Sequence, residues 1–111
     1  MNHPIEVSIV IVTNDGWSDL AACLAALRPT LPADAEVIVV DNASTDGTAE
    51  RLAAEFPWVQ RIFLGEHRGL PGGLNAGTRH ARGRFLGELN NATIPHTGWL
   101  EPLFERADAE P

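Results

Sequence analysis

Cysteine occurs once in this chain, lysine is absent, and no apolar run approaches the ~20 residues of a membrane span. The single Cys23 excludes an internal disulfide and a cysteine-based metal cage. It falls in a helical apolar pattern with Leu20, Leu24 and Leu27, which reads as a buried core thiol rather than a nucleophile. Without lysine there is no Walker-type phosphate loop. Eight basic residues, all arginines, face 15 acidic ones, for a formal net charge of -7. That balance excludes a nucleic-acid surface, which needs a basic stripe to neutralise phosphates. Arg79, Arg82 and Arg84 do cluster late in the chain. They read either as a solvated helix end favoured by the C-terminal dipole or as a phosphate clamp. The stretch Met1 to Glu6 lacks the basic and apolar regions of a signal peptide, so a soluble, cytoplasmic protein is expected. Two glycosylation sequons, at Asn42 and Asn91, are then incidental matches. The histidines His3, His67, His80 and His96 have no metal-ligand spacing.

What the chain does contain is an alternation of strands and helices. Its 111 residues suit one domain, and a hydrophobic fraction of 44% suits an ordinary core. Val7 to Thr13 and Glu36 to Val40 are nearly unbroken apolar runs rich in β-branched residues. Such runs fit parallel strands covered on both faces. Val59 to Leu64 and Phe85 to Leu89 read as two further strands. Helices are predicted over Trp17 to Leu27, Gly47 to Phe56, Pro71 to Arg82 and Trp99 to Ala107. Asp15 or Ser18 is the expected cap of the first, and Thr45 or Asp46 of the second. In the third, Leu70, Leu74, Gly77 and Ala81 share one face, and its small residues let the helix approach the sheet closely. Glu88 is anomalous in its strand. An unpaired buried carboxylate is costly, so either the strand lies at an open edge or Glu88 has a partner. The expectation is an α/β, Rossmann-like three-layer sandwich with strand order 3-2-1-4. In such a sheet ligands bind beyond the carboxyl ends of the strands, where the order reverses. Thr13 to Asp15, Asp41 to Gly47 and Asn90 to Thr93 all follow strand ends and gather there.

Several residues at those ends carry two readings. Asp41 is either a ligand-binding carboxylate or a turn former that bonds its own backbone. Thr13-Asn14-Asp15 is either a pocket lining or a polar strand-to-helix turn. Glu66 to Gly77, rich in glycine, is either a loop whose backbone approaches an anion at a helix N-terminus or a device for tight packing.

Four segments taken together resemble one family. Val7 to Asn14, Val37 to Thr48, Glu66 to Gly77 and Leu89 to Thr93 are similar to the nucleotide-binding half of the family 2 glycosyltransferases, inverting enzymes of GT-A fold. The resemblance implies a UDP- or dTDP-sugar donor and transfer to a hydroxyl acceptor. It assigns nucleotide-sugar binding to Thr13, Asn14, Asp15, Asp41, Asn42, Gly69, Gly73, Asn75, Asn90 and Asn91. Asp41 would accept from the pyrimidine N–H. Asn14 stands where the family has an aromatic residue, and His67 where it usually has asparagine. Ala92 stands at the aspartate that holds a divalent metal against the diphosphate. Mn²⁺ or Mg²⁺ is expected for the family, and here its ligand is gone, with Glu88 the nearest substitute. Asn90 and Asn91 can hydrogen-bond a ribose or phosphate but suit a hard cation poorly.

The resemblance runs from about Val7 to Leu103 and matches only the first half of the family's catalytic domain. The family's general base and acceptor pocket lie in the other half, so no catalytic residue is assigned. The expectation is a donor-binding module inactive alone. A sheet edge left uncovered invites a homodimer or a partner protein. The rival functional reading is a degenerate module that acts by association. A receiver-type domain is disfavoured, because Asp15 and Asp41 do not make its acidic set.

Overall fold

The structure, a computed structural model, describes residues 5–100. Four strands, β1 (Val7–Thr13), β2 (Ala35–Asn42), β3 (Gln60–Leu64) and β4 (Phe85–Asn90), alternate with three helices, α1 (Trp17–Leu27), α2 (Thr48–Glu55) and α3 (Gly69–His80). The sheet has the expected order β3-β2-β1-β4, with every neighbouring pair parallel. Val7 pairs with Ala35 on one side and Phe85 on the other.

Two apolar layers enclose the sheet. Ile9, Ile11, Val37 and Val39 pack against Leu20, Cys23, Leu24 and Leu27 of α1 and Leu52 of α2. Val10, Ile38 and Val40 form the opposite layer, with Leu74 and Ala76 of α3 packed on it. Neighbouring residues of a strand therefore serve different helices, which is why β1 and β2 read as continuous apolar runs. Cys23 is fully buried, and burial pushes its thiol up to about 11.

The glycines of α3 are packing devices. A Cβ on Gly73 would lie 2.6 Å from Val12 Cγ1, and one on Gly77 would lie 2.4 Å from Val10 Cγ1. The helix backbone thus rests directly on the β-branched side chains of β1.

Several local expectations are corrected. Neither Asp15 nor Ser18 caps α1; Gly16 occupies the cap position without a side-chain bond. Asp46, from the loop after β2, instead accepts from the Trp17 N–H at 3.4 Å and from the Thr48 N–H at 3.1 Å. One carboxylate serves the first turns of two helices, which favour negative charge. Strand β2 extends through Asp41 and Asn42, so both belong to the sheet, and Asp41 also makes the local backbone bond of a turn former, its Oδ1 accepting from the Ser44 N–H at 2.9 Å. Helix α3 starts at Gly69 and stops at His80, leaving Arg82 and Arg84 beyond it. Trp99 and Leu100 are not helical, and the remainder of the helix expected there lies outside the described residues. Glu88 is exposed on β4, an edge strand, which settles its anomaly in favour of the open edge. No helix among the described residues is long and apolar enough to cross a membrane.

The amino ends of the strands are closed by a network no local pattern announced. Glu36, 7% exposed, accepts from Ser8 Oγ at 2.5 Å, Gln60 Nε2 at 2.5 Å and the Arg82 N–H at 2.7 Å. The Arg82 guanidinium adds a contact of 3.1 Å. Ser8 Oγ in turn accepts from the Gly83 N–H at 2.7 Å. Burial pushes the Glu36 carboxyl up, but its donors outweigh that and hold it below its ordinary 4.5. Arg82 therefore serves the sheet's amino end, and Arg84 pairs with Glu6 at 3.4 Å nearby. Neither is placed to clamp a phosphate at the carboxyl ends.

Candidate functional site

The strand order reverses between β1 and β4, and a cavity of 370 Å³ opens there on the α3 side. Val12 of β1 and Leu70 and Leu74 of α3 line one part of it. Glu88, Leu89 and Asn90 of β4, with Asn91, line the other. Register places Glu88 beside Val10 and Asn90 beside Val12, so both share the α3 face of the sheet. Leu70 is 62% exposed despite its place on the helix face that meets the sheet. An exposed leucine beside carboxamides and one carboxylate makes an amphipathic wall.

The residues singled out in the sequence fall on both faces of the sheet. Asn42 points to the α3 side and is fully engaged. Its Nδ2 donates to the Gly69 carbonyl at 2.9 Å, and its Oδ1 accepts from the Arg68 N–H at 2.9 Å. It thereby fastens the start of α3 to the end of β2. Gly69 has φ +69, a conformation that favours glycine and lets the chain turn into the helix. Gly73 lies against Val12 under the cavity. Asn75 is exposed; two residues beyond Gly73 it faces away from the sheet and does not join the others.

Thr13 and Asp41 pair in register and lie on the α1 side. Thr13 is buried, and its Oγ1 accepts from Asn91 Nδ2 at 3.2 Å. Asp41 is 3% exposed, and its Oδ1 accepts from the Ser44 N–H at 2.9 Å. Its Oδ2 is buried with no hydrogen-bond partner among the described residues. Such an atom carries a desolvation cost of about 1–3 kcal/mol, which a ligand donor would relieve.

Above these strands the loops after β1 and β2 are latched together. Asn14 Nδ2 donates to the Asn42 carbonyl at 2.7 Å, the Asp15 N–H to Ser44 Oγ at 2.9 Å, and the Thr45 N–H to Asp15 Oδ1 at 2.6 Å. Asp15 and Ala43 hold left-handed backbone, at φ 51 and φ 63. Aspartate tolerates that region through local side-chain bonds, whereas alanine adopts it at a cost of about 1 kcal/mol. The latch supplies the compensating contacts.

The Asn90–Ala92 turn tests the fit of a divalent metal. Ala92 is exposed and presents a methyl group. Asn90 Oδ1 is taken by the Ala92 N–H at 2.8 Å, and the Asn91 amide is turned toward Thr13. No set of three or more His, Cys, Asp or Glu among the described residues is arranged to hold a metal ion. Glu88 brings a single carboxylate. The donor set does not fit a hard cation, which takes several oxygen ligands.

Sequence reasoning missed Val12, Leu70 and Leu74 as cavity walls. Leu70 and Leu74 carried a usable signal: apolar side chains at the start of a helix whose glycines hold it low on the sheet.

Comparison with known proteins agrees with this arrangement. The family model for Glycosyl transferase family 2 matches residues 8–111. The chain is 31% identical over 105 residues to the succinoglycan biosynthesis protein ExoO of Rhizobium meliloti, covering 94% of this chain and 30% of that protein. It is 34% identical over 111 residues to polypeptide N-acetylgalactosaminyltransferase 12 of Mus musculus, covering 95% of this chain and 19% of that one. The crystal structure of S. aureus TarS 1-349 in complex with UDP superposes with a TM-score of 0.81 at 21% identity, over 94% of this chain and 32% of that one. That likeness establishes the fold. The chain spans about a third or less of the length of each of these proteins. With a family model covering nearly its whole length, and the sheet order and switch-point crevice that accompany it, this chain belongs to glycosyl transferase family 2.

Proposed function

We propose that this domain binds the nucleotide end of a UDP- or dTDP-sugar in the crevice between β1 and β4. The observation that carries the reading is the 370 Å³ cavity at the carboxyl ends of the strands, where their order reverses. Apolar walls from Val12, Leu70 and Leu74 suit the faces of a base or sugar ring, and Asn90 and Asn91 suit hydroxyl groups. A second polar group at the strand ends, the unpartnered Oδ2 of Asp41, lies on the α1 side of β2 and outside this cavity. It suits the one ring N–H that uracil and thymine each present between two carbonyls, so a base that reaches it lies across the strand ends with its sugar toward the cavity. That contact requires the turn held by Ser44 to shift, because the oxygen is closed off from solvent.

The transfer reaction of the family is not assigned to this chain acting alone. A diphosphate leaving group gathers negative charge in the transition state, and a metal ion held by carboxylates stabilises it. Ala92 withholds that carboxylate. The proposed role is donor binding without turnover.

Isothermal titration calorimetry with UDP, UDP-glucose and dTDP-rhamnose tests the reading, with and without Mn²⁺. Heat from at least one of them is expected, reduced in Asp41→Asn. A chain that gives no heat with any of the three, yet sediments as a dimer at micromolar concentration, supports association instead. The surface favoured for that is the β4 edge, where Leu86 is 46% exposed.

A further inference from the structure

We propose that Glu88 makes the crevice select the uncharged part of its ligand, so that affinity falls as phosphates are added. This inference rests on the nucleotide reading above and concerns which portion of the nucleotide the site recognises. Among the described residues lining the cavity, Glu88 is the only one with an ionisable side chain, and none is an arginine. Arg82 and Arg84 are engaged with Glu36 and Glu6 at the opposite ends of the strands. The Val10–Glu88 and Val12–Asn90 register puts Glu88 on the same face of the sheet as Asn90, the α3 face, where it stays exposed at the cavity's edge. A ligand in the crevice therefore meets one negative charge, two carboxamides and an apolar wall.

Arg68, at the cap position of α3, lays its side-chain stem along Gly72 and does not line the cavity, which leaves the start of α3 as the positive potential adjoining the crevice among the described residues. That helix start is poorly equipped to offset the carboxylate. Pro71 carries no N–H, and the Gly69 N–H is donated to His67 Nδ1 at 3.2 Å. The Ala92 corner brings no anion to gather a cation that would shield the phosphates. Hydroxyl groups and ring faces are satisfied by this lining, whereas phosphate oxygens face Glu88 unshielded. In a solvent-exposed crevice each added unit of ligand charge should cost about threefold in affinity.

The experiment measures uridine, UMP and UDP binding to the full chain by calorimetry, first in EDTA and then with Mn²⁺. The expected order is uridine tightest and UDP weakest, with Mn²⁺ changing the UDP affinity by less than about threefold. Glu88→Gln should raise the UDP-to-uridine affinity ratio by about threefold or more. Glu88 is exposed on an edge strand, so the variant keeps its fold, checked by its circular dichroism. UDP binding tighter than uridine in EDTA, strong enhancement by Mn²⁺, or an unchanged ratio in Glu88→Gln would each overturn the proposal and leave nucleotide binding intact. No binding by any of the three ligands would overturn the nucleotide reading itself, and this inference with it.

Discussion

Removing the Glu36 carboxylate should destabilise the domain far more than its single charge suggests. Glu36→Ala takes away the acceptor shared by Ser8 Oγ, Gln60 Nε2, the Arg82 N–H and the Arg82 guanidinium. These losses are unequal. The Arg82 side chain is 67% exposed and returns to water, so its ion pair contributes little. Gln60 is partly exposed and also finds water. Ser8 is completely buried, and the Arg82 N–H is held in the bend that carries the chain into β4. Each of those two stranded donors costs about 1–2 kcal/mol. Relief of the carboxylate's own desolvation offsets part of this, and the void left by the side chain adds to it. The net expectation is a loss of about 3 kcal/mol, a large fraction of a domain stability of about 5–15 kcal/mol. Urea unfolding followed by tryptophan fluorescence reads it as a midpoint lower by about 1.5 M, for a slope of about 2 kcal/mol/M. A cycle with Ser8→Ala should show strong non-additivity, because both residues act on one network. A Glu36→Ala midpoint within experimental error of the parent, or strict additivity with Ser8→Ala, would refute the assignment.

The same group fixes a pH dependence. Its carboxyl lies below the ordinary 4.5 in the folded chain, so the stability it contributes is fully present above about that pH and is lost as pH falls through the folded value. The stability gap between the parent and Glu36→Gln should therefore narrow as pH falls below about 4.5, and a gap that stays constant down to acid unfolding would contradict it. Gly77→Ala should destabilise by about 2 kcal/mol in thermal or urea unfolding, even though alanine is the better helix former by about 1 kcal/mol. The added methyl would meet the stiff side chains of Val10 at 2.4 Å and Val40 at 3.1 Å, and a stabilised variant would show that α3 does not sit this close to the sheet.

The fold was legible because its signals are local and redundant. Val7 to Thr13 and Val37 to Val40 are apolar on both faces, which only a sheet covered on both sides explains. Once two parallel strands and their crossover helices are granted, handedness leaves few orders for the other strands. The site was harder to read, because its residues act across the chain. Asp41 and Asn42 look like a turn pair, yet β2 continues through both and turns their side chains to opposite faces. One closes the α1 side and the other fastens α3. The cap of α1 was misassigned for a related reason. Asp15 is the nearest carboxylate in sequence, but it is spent on Thr45, and Asp46 reaches Trp17 from 29 residues away. Glu36 gave no warning at all, since a glutamate at the edge of an apolar run looks like a solvated strand end. Its partners come from three other parts of the chain.

These placements separate what maintains the fold from what a ligand would meet. The amino ends of the strands are closed by Glu36, Ser8 and Gly83, and a Cβ on Gly83 would lie 2.5 Å from the Ser8 backbone nitrogen. The loops after β1 and β2 are latched by Asn14, Asp15 and Ser44. Neither network includes Glu88 or Ala92. The Ala92 side chain is exposed, and its turn is held through its backbone N–H by Asn90, a bond that does not depend on which side chain the position carries. An alanine at that corner can therefore change how the crevice treats charge without disturbing the sheet beneath it. The corner's chemistry follows from residues that the fold leaves unconstrained, which makes nucleotide and metal titrations, rather than stability measurements, the proper probe of position 92.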